Sequence, residues 1–466
     1  MQHALDNSQD GTFCGNDGRG RHESVNKTKE EDRQRVKGHI ESFPSLESHY
    51  CRMNSSKRFL DATLNVSRMY RMYTDLCAKD GVVPVSSSMY RNIFDNEYNL
   101  SFHKPKTDQC LLCYQHDEAK QNNTLTETLK QDYEEHQHRK RESRAEKEKD
   151  KALAQEDVNL EVVTFDMQAV LSTPCNQVSQ TYYKHKLAVY NLTVYSLASK
   201  DGKCFVWDET HGHKGSCEIA TCLLRHLKAL PQVKHAVLYS DTCSGQNRNK
   251  FVSVGLLYAA QHLPNLQIID QKFVESGHTH MECDSMHSTI ESAKRNCKVQ
   301  IPDQWKTVME CARPKQAYVV EELEFSDVLD FKAVATSCLC NSKTDGEGSR
   351  INWMKIKWLR YLKGEEDTIY FKYRMSDPFR QLKIRHGSSR RGRGPVTVTT
   401  IGEIPHRYTE RIPLSAVKKA DLLDLCRLNI IQEKHHHLYR SLPCDSHARD
   451  RLPEPDINED MDTDED

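Results

Sequence analysis

The chain has 466 residues, a formal net charge of -1, 29% charged residues and a mean hydropathy of -0.76. This length allows two or three domains, and no stretch approaches the roughly 20 apolar residues of a membrane helix or the apolar run of a signal peptide. We therefore expect a soluble, intracellular protein, in which the 17 cysteines are thiols or zinc ligands rather than a disulfide framework.

Residues 1–40 are polar and show no hydrophobic periodicity, so they are predicted to be disordered. Residues 41–121 begin a helical region with one broad apolar face, which a Gly-Val-Val-Pro sequence interrupts at residues 81–84. Serines after this break can cap a second helix. The pattern is that of a helix-turn-helix, with an ordinary helical hairpin as the open alternative. In a helix-turn-helix, the residues directed towards DNA would be Tyr90, Arg91 and Asn92.

The same region carries a candidate zinc knuckle. Cys110 and Cys113 are separated by two residues, a spacing that lets both thiolates bind one tetrahedral zinc ion. His103 and His116 are the candidates for the remaining two ligands. Further upstream, the open alternatives are His49, Cys51 and Cys77.

Residues 122–157 are almost entirely charged and have helical spacing of opposite charges, which predicts a solvated helical spacer, or a short coiled coil if paired. The sequence Arg-Lys-Arg-Glu-Ser-Arg at residues 139–144 is typical of a nuclear-import or nucleic-acid patch, although charge runs are more often a solvated face.

Residues 158–320 alternate strands and helices in the order β-β-β-α-β-α-β-α, which indicates an α/β domain. The first strand, Leu160–Phe165, is followed by Asp166, and the fourth, His235–Ser240, is followed by Asp241. This order is the plan of ribonuclease H-like nucleases and integrases. We therefore expect a ribonuclease H-like mixed sheet flanked by helices, with an N-terminal helical zinc-knuckle region and a small C-terminal α+β region.

Phosphoryl transfer on this plan uses three carboxylates that hold two divalent cations about 3.5–4 Å apart, and oxygen ligands suit Mg²⁺ or Mn²⁺. Asp166 and Asp241 are the first two predicted catalytic ligands. The third is Asp284 or Glu291. Asp284 is preferred because it begins the last helix, near the end of the preceding strand, whereas Glu291 is explained by pairing with Arg295.

Several polar residues are predicted to line this site. Ser244, Gln246 and Asn247 form the small-polar turn that follows Asp241. The histidines of the next loop and helix could tune the site or ligate a metal, and each could equally be a structural hydrogen-bonding residue. These histidines are His278, His280 and His287.

Residues 321–440 are predicted to form an α+β region with a packed element around residues 353–361 and a strand at 369–373. Residues 383–393 form a basic Gly/Ser loop that could follow a phosphate backbone, with a solvated loop as the equal alternative. Its predicted nucleic-acid-binding residues are Arg390, Arg391 and Arg393. An amphipathic helix is predicted over Leu414–Ile431.

Residues 441–466 are predicted to be an acidic disordered tail. Residues 452–466 alone carry eight acids and no base, so the rest of the chain is mildly basic, which is compatible with a nucleic-acid partner.

Three central segments, Tyr239–Asn249, Phe165–Pro174 and Gly277–Asp284, resemble a family of uncharacterised animal proteins that are related to DDE transposases and often derive from mobile elements. The upstream segments Ser48–Arg52 and Phe102–Cys113 fit the same family, so the similarity extends from Ser48 to the basic C-terminal region.

This resemblance implies a ribonuclease H-like fold with Asp166, Asp241 and Asp284 at the acidic positions, and a zinc-stabilised N-terminal helical region. We expect a metal-dependent DNA polynucleotidyl transferase or nuclease that uses Mg²⁺ or Mn²⁺ and Zn²⁺. DNA is the expected partner and the nucleus the expected location; no membrane is involved, and a homo-oligomer is an open alternative. A retained, catalytically inactive DNA- or protein-binding descendant is the alternative function. A zinc-dependent interaction protein, binding metal through its histidines at residues 278–287, is a third.

Overall fold

The structure, a computed structural model, describes residues 28–43, 65–102, 110–176, 184–243, 245–275, 281–295, 297–338, 343–384 and 403–448, with residue 181 and short strands at 8–9, 12–13, 46–47 and 58–60. The chain divides into two units, residues 1–107 and 108–466, and each is described by itself. Within the described residues, no helix is both long and apolar enough to cross a bilayer.

The N-terminal unit contains helices whose ends follow from the local sequence. The side chain of Asn65 accepts a hydrogen bond from the N–H of Arg68 (2.9 Å), and that of Ser86 from the N–H of Met89 (3.3 Å), so each residue caps a helix. Gly81 separates these two helices with a φ of 67°, which residues with a side chain rarely adopt. The elements of this unit are α1 (Glu30–Glu41), α2 (Val66–Lys79), α3 (Ser87–Glu97), β1 (Ser8–Gln9), β2 (Thr12–Phe13), β3 (Leu46–Glu47), β4 (Arg58–Leu60) and β5 (Leu100–Phe102).

Helix α1 begins inside the segment predicted to be disordered, so that prediction is wrong from Glu30 onwards. Val36 and Ile40 recur every four residues on one face of α1 and are buried in the core of the unit. The surrounding charges conceal this short apolar face in the sequence.

The predicted DNA-facing role of Tyr90 is also wrong, because Tyr90 is fully buried. Its hydroxyl lies 2.9 Å from Nδ1 of His39 on α1, and its ring centroid lies 5.3 Å from that of Tyr73 on α2. Tyr90 thus joins the three helices and cannot contact DNA bases. Arg91 and Asn92, beside it on α3, are exposed.

One mixed sheet of ten strands organises the described part of the second unit. The strands are β6 (Leu160–Met167), β7 (Leu171–Thr173), β8 (Leu187–Ser196), β9 (Gly202–Asp208), β10 (His235–Ser240), β11 (Ile268–Phe273), β12 (Val319–Glu322), β13 (Trp358–Leu362), β14 (Thr368–Lys372) and β15 (Arg380–Lys383). Their order in the sheet is β12-β9-β8-β6-β10-β11-β13-β14-β15, and β7 pairs with β8 outside this path.

Strands β6 and β10 lie at the centre of the sheet, and their nearly continuous apolar sequences match burial on both faces. They are parallel neighbours, with Leu160 opposite His235 and Thr164 opposite Tyr239. Strand β8 is antiparallel to both β6 and β9. The predicted α/β class, with a mixed central sheet flanked by helices, is confirmed.

Side-chain alternation along the strands divides the helices between the two faces of the sheet. Val163 and Phe165 pack with α6, α7 and α10, whereas Val162 and Tyr239 lie in the cluster that includes residues of α5 and α8. Asp166 has the parity of Val162 and therefore belongs to the α8 face. The helices of this unit are α4 (Leu111–Gln121), α5 (Glu127–Glu156), α6 (Ser216–Lys228), α7 (Lys250–His262), α8 (Glu282–Lys294), α9 (Gln304–Ala312), α10 (Phe331–Cys338), α11 (Ala416–Arg427) and α12 (His436–Ser441).

The charged segment 122–157 forms helix α5, as predicted, but it is not a solvated spacer. The buried Nζ of Lys272 on β11 donates to Glu146 (2.7 Å) and Asp150 (2.6 Å) of α5. The hydroxyl of Tyr239 on β10 donates to the same Asp150 carboxylate at 2.7 Å. Because an unpaired buried charge is costly, this network holds α5 against the sheet.

The sequence predicted a separate α+β region at residues 321–440, but these residues do not form one. Strand β12 pairs with β9 at one edge of the sheet, and β13 to β15 extend it beyond β11, so both stretches belong to the central sheet. The predicted strand at 369–373 corresponds to β14, and the helix predicted over Leu414–Ile431 corresponds to α11. The predicted disordered tail is wrong at its start, because α12 extends to Ser441 and the short strands β16 (Leu414–Ser415) and β17 (Cys444–Asp445) pair.

The pairing of β11 with β13 includes a buried charge cluster around Asp270. Its carboxylate accepts hydrogen bonds from Nε and Nη2 of Arg360 (2.7 and 2.9 Å) and from the indole N–H of Trp358 (2.7 Å). Nε2 of His235 lies 2.8 Å from the same carboxylate. Burial alone would raise the pKa of Asp270, but these partners lower it to about 2.

We predict that Asp270→Asn lowers the free energy of unfolding by about 3–5 kcal/mol at pH 7, because Arg360 and His235 lose their buried anion. The pKa of an unfolded aspartate is about 3.9. The stabilisation by Asp270 is therefore present above about pH 4 and is lost as the pH falls towards 2. Urea unfolding of both proteins between pH 7 and pH 3 measures this difference, and equal stability at pH 7 would contradict the assignment.

Candidate functional site

Two carboxylates lie next to each other at the centre of the sheet because of the strand register. The sequence predicted that Asp166 follows the end of its strand, but it lies inside β6. Asp241 directly follows β10, as predicted. Thr164 is opposite Tyr239, so the same register carried two residues further sets Asp166 beside Asp241. Neighbouring strands are about 4.8 Å apart. The sequence-predicted pair is thus brought together by two parallel strands.

Helix α8 places two further side chains against Asp166. The N–H of Cys283 donates to Oγ1 of Thr164 at 3.3 Å, which fixes the start of α8 over β6. Asp284 and His287 are three residues apart on this helix and therefore share one face. Candidate ligand atoms of Asp166, Asp284 and His287 all lie within 4.8 Å of one another.

The carboxylates at this site repel one another. Burial raises the pKa of Asp166 well above its usual range, and the nearby carboxylates of Asp241 and Asp284 raise it further. Burial lowers the pKa of His287 to about 4, with a smaller contribution from Lys214, so its imidazole is neutral at pH 7. The group therefore presents clustered acids and a neutral nitrogen donor.

Thr193 on β8 orients the histidine of this group. Thr193 lies opposite Asp166 in the sheet register. Its Oγ1 lies 2.7 Å from Nε2 of His287 and 3.2 Å from the backbone oxygen of Asp166. Nothing in the sequence indicates this role, because a threonine within a strand is ordinary.

The turn after β10 fixes the position of the Asp241 carboxylate through hydrogen bonds. Oδ1 of Asp241 accepts hydrogen bonds from Nδ2 of Asn247 (2.6 Å) and from the N–H of Cys243 (3.1 Å). Asn247 is fully buried, and its backbone oxygen accepts a hydrogen bond from Gln271 at 2.9 Å. Asn249 then caps α7 by accepting from two N–H groups of its first turn. Asn247, predicted as a lining residue, thus positions Asp241.

The thiols beside the carboxylates are protonated at neutral pH. Burial raises the pKa of Cys243 to about 11, and the negative charge of Asp241 adds to this effect. Burial also raises the pKa of Cys283 well above its usual range. A thiolate nucleophile is therefore disfavoured at this site.

Glu291 lies further along α8 than the group of Asp166, Asp284 and His287. The sequence predicted that its carboxylate pairs with Arg295, but it pairs with Lys294 at 2.5 Å. The same carboxylate lies 3.4 Å from Nε2 of Gln168. Gln246 belongs to the turn after Asp241, where its backbone oxygen accepts from Asn249 at 3.1 Å. Of the two candidates for the third acid, Asp284 is the one that lies beside Asp166.

Several predicted site residues lie outside the described residues. They are His103 of the zinc knuckle, Ser244, His278 and His280 near the carboxylates, and Arg390, Arg391 and Arg393 of the basic loop.

A second group of metal-ligating side chains joins α4 to α5. Cys110 precedes α4 and Cys113 lies in its first turn, while His136 lies on α5; their candidate ligand atoms are within 4.8 Å of one another. The edges of a tetrahedral zinc site with such ligands are about 3.5–3.8 Å. Nδ1 of the buried His136 lies 3.1 Å from Oε1 of Glu275. This carboxylate–histidine contact is typical of metal sites.

His116 is not a member of this second group, although the sequence predicted it as a ligand. Its ring stacks on Tyr133, with centroids 3.7 Å apart and planes 7° from parallel, and its Nδ1 lies 3.1 Å from Asp117. The third member is instead His136. His136 is not recognisable as a ligand from the sequence, because it lies in the charged segment predicted to be a spacer and has only the neighbouring His138 as a signal.

The comparison with protein families identifies one matching region. Residues 184–348 match a domain of unknown function, DUF7869. The match contains Asp241, Asp284 and His287, and begins after Asp166 and the Cys110 group. A comparison with curated proteins gives no match. The match thus covers about a third of the chain and assigns no activity to it.

Proposed function

We propose that the chain is a metal-dependent DNA polynucleotidyl transferase or nuclease of the DDE transposase type, with a ribonuclease H-like core. The observation that carries this proposal is the convergence of Asp166, Asp284 and His287 within 4.8 Å, next to the position of Asp241 on the neighbouring strand. The order of strands and helices in the sequence, and the family resemblance, support the same proposal. DNA is the proposed partner, and the nucleus the proposed location.

The residues present fit a divalent cation. Two carboxylates and a neutral imidazole offer oxygen and nitrogen donors, and a cation would relieve the repulsion that raises the pKa of Asp166. Asp166, Asp284 and His287 would hold one cation, and Asp166 with Asp241 a second. Divalent cations at such a site supply Lewis-acid activation of the attacking hydroxyl and stabilisation of the leaving oxygen. The imidazole favours Mn²⁺ over Mg²⁺, because Mg²⁺ prefers oxygen ligands.

The protein residues around this site position its ligands. Asn247 directs the Asp241 carboxylate through a hydrogen bond of 2.6 Å, and Thr193 directs the His287 ring through a contact of 2.7 Å. Lys214 lies near enough to influence the pKa values of both Asp166 and His287. In the proposed reaction its positive charge would attract a phosphate of the substrate.

We propose further that Cys110, Cys113 and His136 bind a structural zinc ion. Two thiols and an imidazole are the donors that zinc prefers. The Glu275 carboxylate fixes the proton on Nδ1 of His136 and leaves the lone pair on Nε2, as a metal ligand requires. This zinc would fasten α4 to α5.

One observation favours the alternative of an inactive DNA- or protein-binding descendant. Asp241 already accepts two hydrogen bonds at Oδ1, from Cys243 and Asn247, and is not part of the group within 4.8 Å. A carboxylate held in this way can stabilise the turn after β10 without binding a metal. The two functions differ in whether the Asp166 and Asp284 carboxylates support cleavage.

We predict that the purified chain cuts plasmid DNA with Mn²⁺, and more slowly with Mg²⁺. Asp166→Asn and Asp284→Asn should each lower the cleavage rate at least about 100-fold, because the charge that stabilises the transition state is lost. Glu291→Gln is the matched control on the same helix and should cut within a few-fold of the unmodified protein.

Cleavage is measured from initial rates of nicking, after each variant is shown to melt at the temperature of the unmodified chain. Undiminished nicking by Asp166→Asn would show that the activity does not come from this site. Loss of nicking in Glu291→Gln but not in Asp284→Asn would transfer the third position to Glu291.

We predict that the purified protein contains zinc and that Cys113→Ser and His136→Ala lose it, because each removes one of its ligands. His116→Ala is the matched control, since His116 stacks on Tyr133 instead of joining the group. Elemental analysis by mass spectrometry gives the zinc content per chain. Zinc retained by His136→Ala but lost by His116→Ala would restore the ligand set predicted from the sequence.

A further inference from the structure

The basic sequence at residues 139–144 lies on α5 beside a cavity of about 270 Å³. Lys140, Ser143 and Arg144 line the cavity from α5. Glu275, after β11, and Glu282, at the start of α8, line it from the opposite side. The basic sequence is therefore part of a groove and not only a solvated helix face. We call this cavity the α5 groove.

The α5 groove contains three acids, Glu148, Glu275 and Glu282, and each has a cationic partner. Glu148 lies 3.6 Å from Nζ of Lys151. Glu275 lies 2.7 Å from Nζ of Lys357 and 3.3 Å from Nε of Arg139. Glu282 lies 2.7 Å from Nζ of Lys147. Each of these acids is thus paired with a cation of the protein.

Lys140 and Arg144 remain as the uncommitted cations of the groove. They are four residues apart and so lie on the same face of α5. In the described part of the chain, neither has a carboxylate within ion-pair distance, and Arg144 is exposed. The buried Ser143 between them adds a hydroxyl group. This combination of a guanidinium, an ammonium and a hydroxyl suits a phosphate group.

The α5 groove and the carboxylate site share helix α8 and adjacent strand ends. Its wall residue Glu282 is two residues before Asp284 on α8, and Lys147 holds it there. On the sheet side, the N–H of Val274 donates to the oxygen of Ser240 at 3.1 Å, so the groove begins one strand away from Asp241.

We propose that the α5 groove binds a backbone phosphate of a nucleic-acid strand through Lys140, Ser143 and Arg144. Naming the ligand as nucleic acid rests on the proposed function, because the groove and that site both use residues of α8. Binding in the groove requires no metal and no cleavage. It can therefore be measured separately from the reaction.

The test is fluorescence polarisation of a labelled 20-nucleotide single-stranded DNA with the full chain in EDTA, from 50 to 300 mM salt. The test variant is Lys140→Gln/Arg144→Gln. Loss of this one phosphate contact should make the slope of log K against log salt shallower by about 0.7 and weaken binding by roughly tenfold at 0.15 M salt.

The matched control is Arg141→Gln/Lys149→Gln, which removes the same charge from exposed positions of α5 outside the groove. This control should keep the slope and affinity of the unmodified chain. Both variants should have the melting temperature of the unmodified chain, since none of the substituted residues is part of an ion pair among the described residues.

Equal affinities of the test and control variants would overturn the proposal, whether both bind weakly or both bind well. Absence of DNA binding by the unmodified chain at 50 mM salt would also overturn it. If the test variant alone loses affinity while the unmodified chain cuts no DNA, the α5 groove stands and the proposed function fails.

Discussion

The parallel pairing of β6 and β10 is the constraint on which the candidate site depends. Its register sets Asp166 and Asp241 side by side at the centre of the sheet, and α8 adds Asp284 to them. Burial and two neighbouring carboxylates raise the pKa of Asp166, so this arrangement costs stability in the absence of a compensating charge. Local rules that favour stability are commonly broken at functional sites, and a bound divalent cation would turn this repulsion into attraction.

The contacts between α5 and the sheet position both the proposed zinc ligand His136 and the α5 groove. Lys272 is buried with Glu146 and Asp150 of α5, and Glu275 contacts both His136 and Arg139 of the same helix. One helix therefore carries a proposed zinc ligand and lines the α5 groove, next to the carboxylates. Zinc binding would strengthen the contact between α5 and the sheet, because Glu275 is shared between His136 and Lys357, the residue before β13.

The sequence predicts the features that depend on neighbours in the chain. The apolar run before Asp241 predicts a buried strand, and the structure has it at His235–Ser240. The features it misses depend on partners far away in sequence. Helix α5 reads as solvated because its charges are visible, whereas the buried partner of Asp150, Lys272, lies 122 residues away. His136 and Thr193 are equally ordinary until the fold brings Cys110 and His287 to them.

Diffraction from crystals of the full chain soaked in Mn²⁺ shows whether the carboxylate group binds a cation, because anomalous scattering locates the ion without reference to activity. We expect a peak within about 2.0–2.6 Å of ligand atoms of Asp166, Asp284 and His287, and no such peak in crystals of Asp166→Asn. Crystals whose only Mn²⁺ peaks lie away from Asp166 and Asp284 would contradict this expectation, and the carboxylate group would then be a structural feature of the fold.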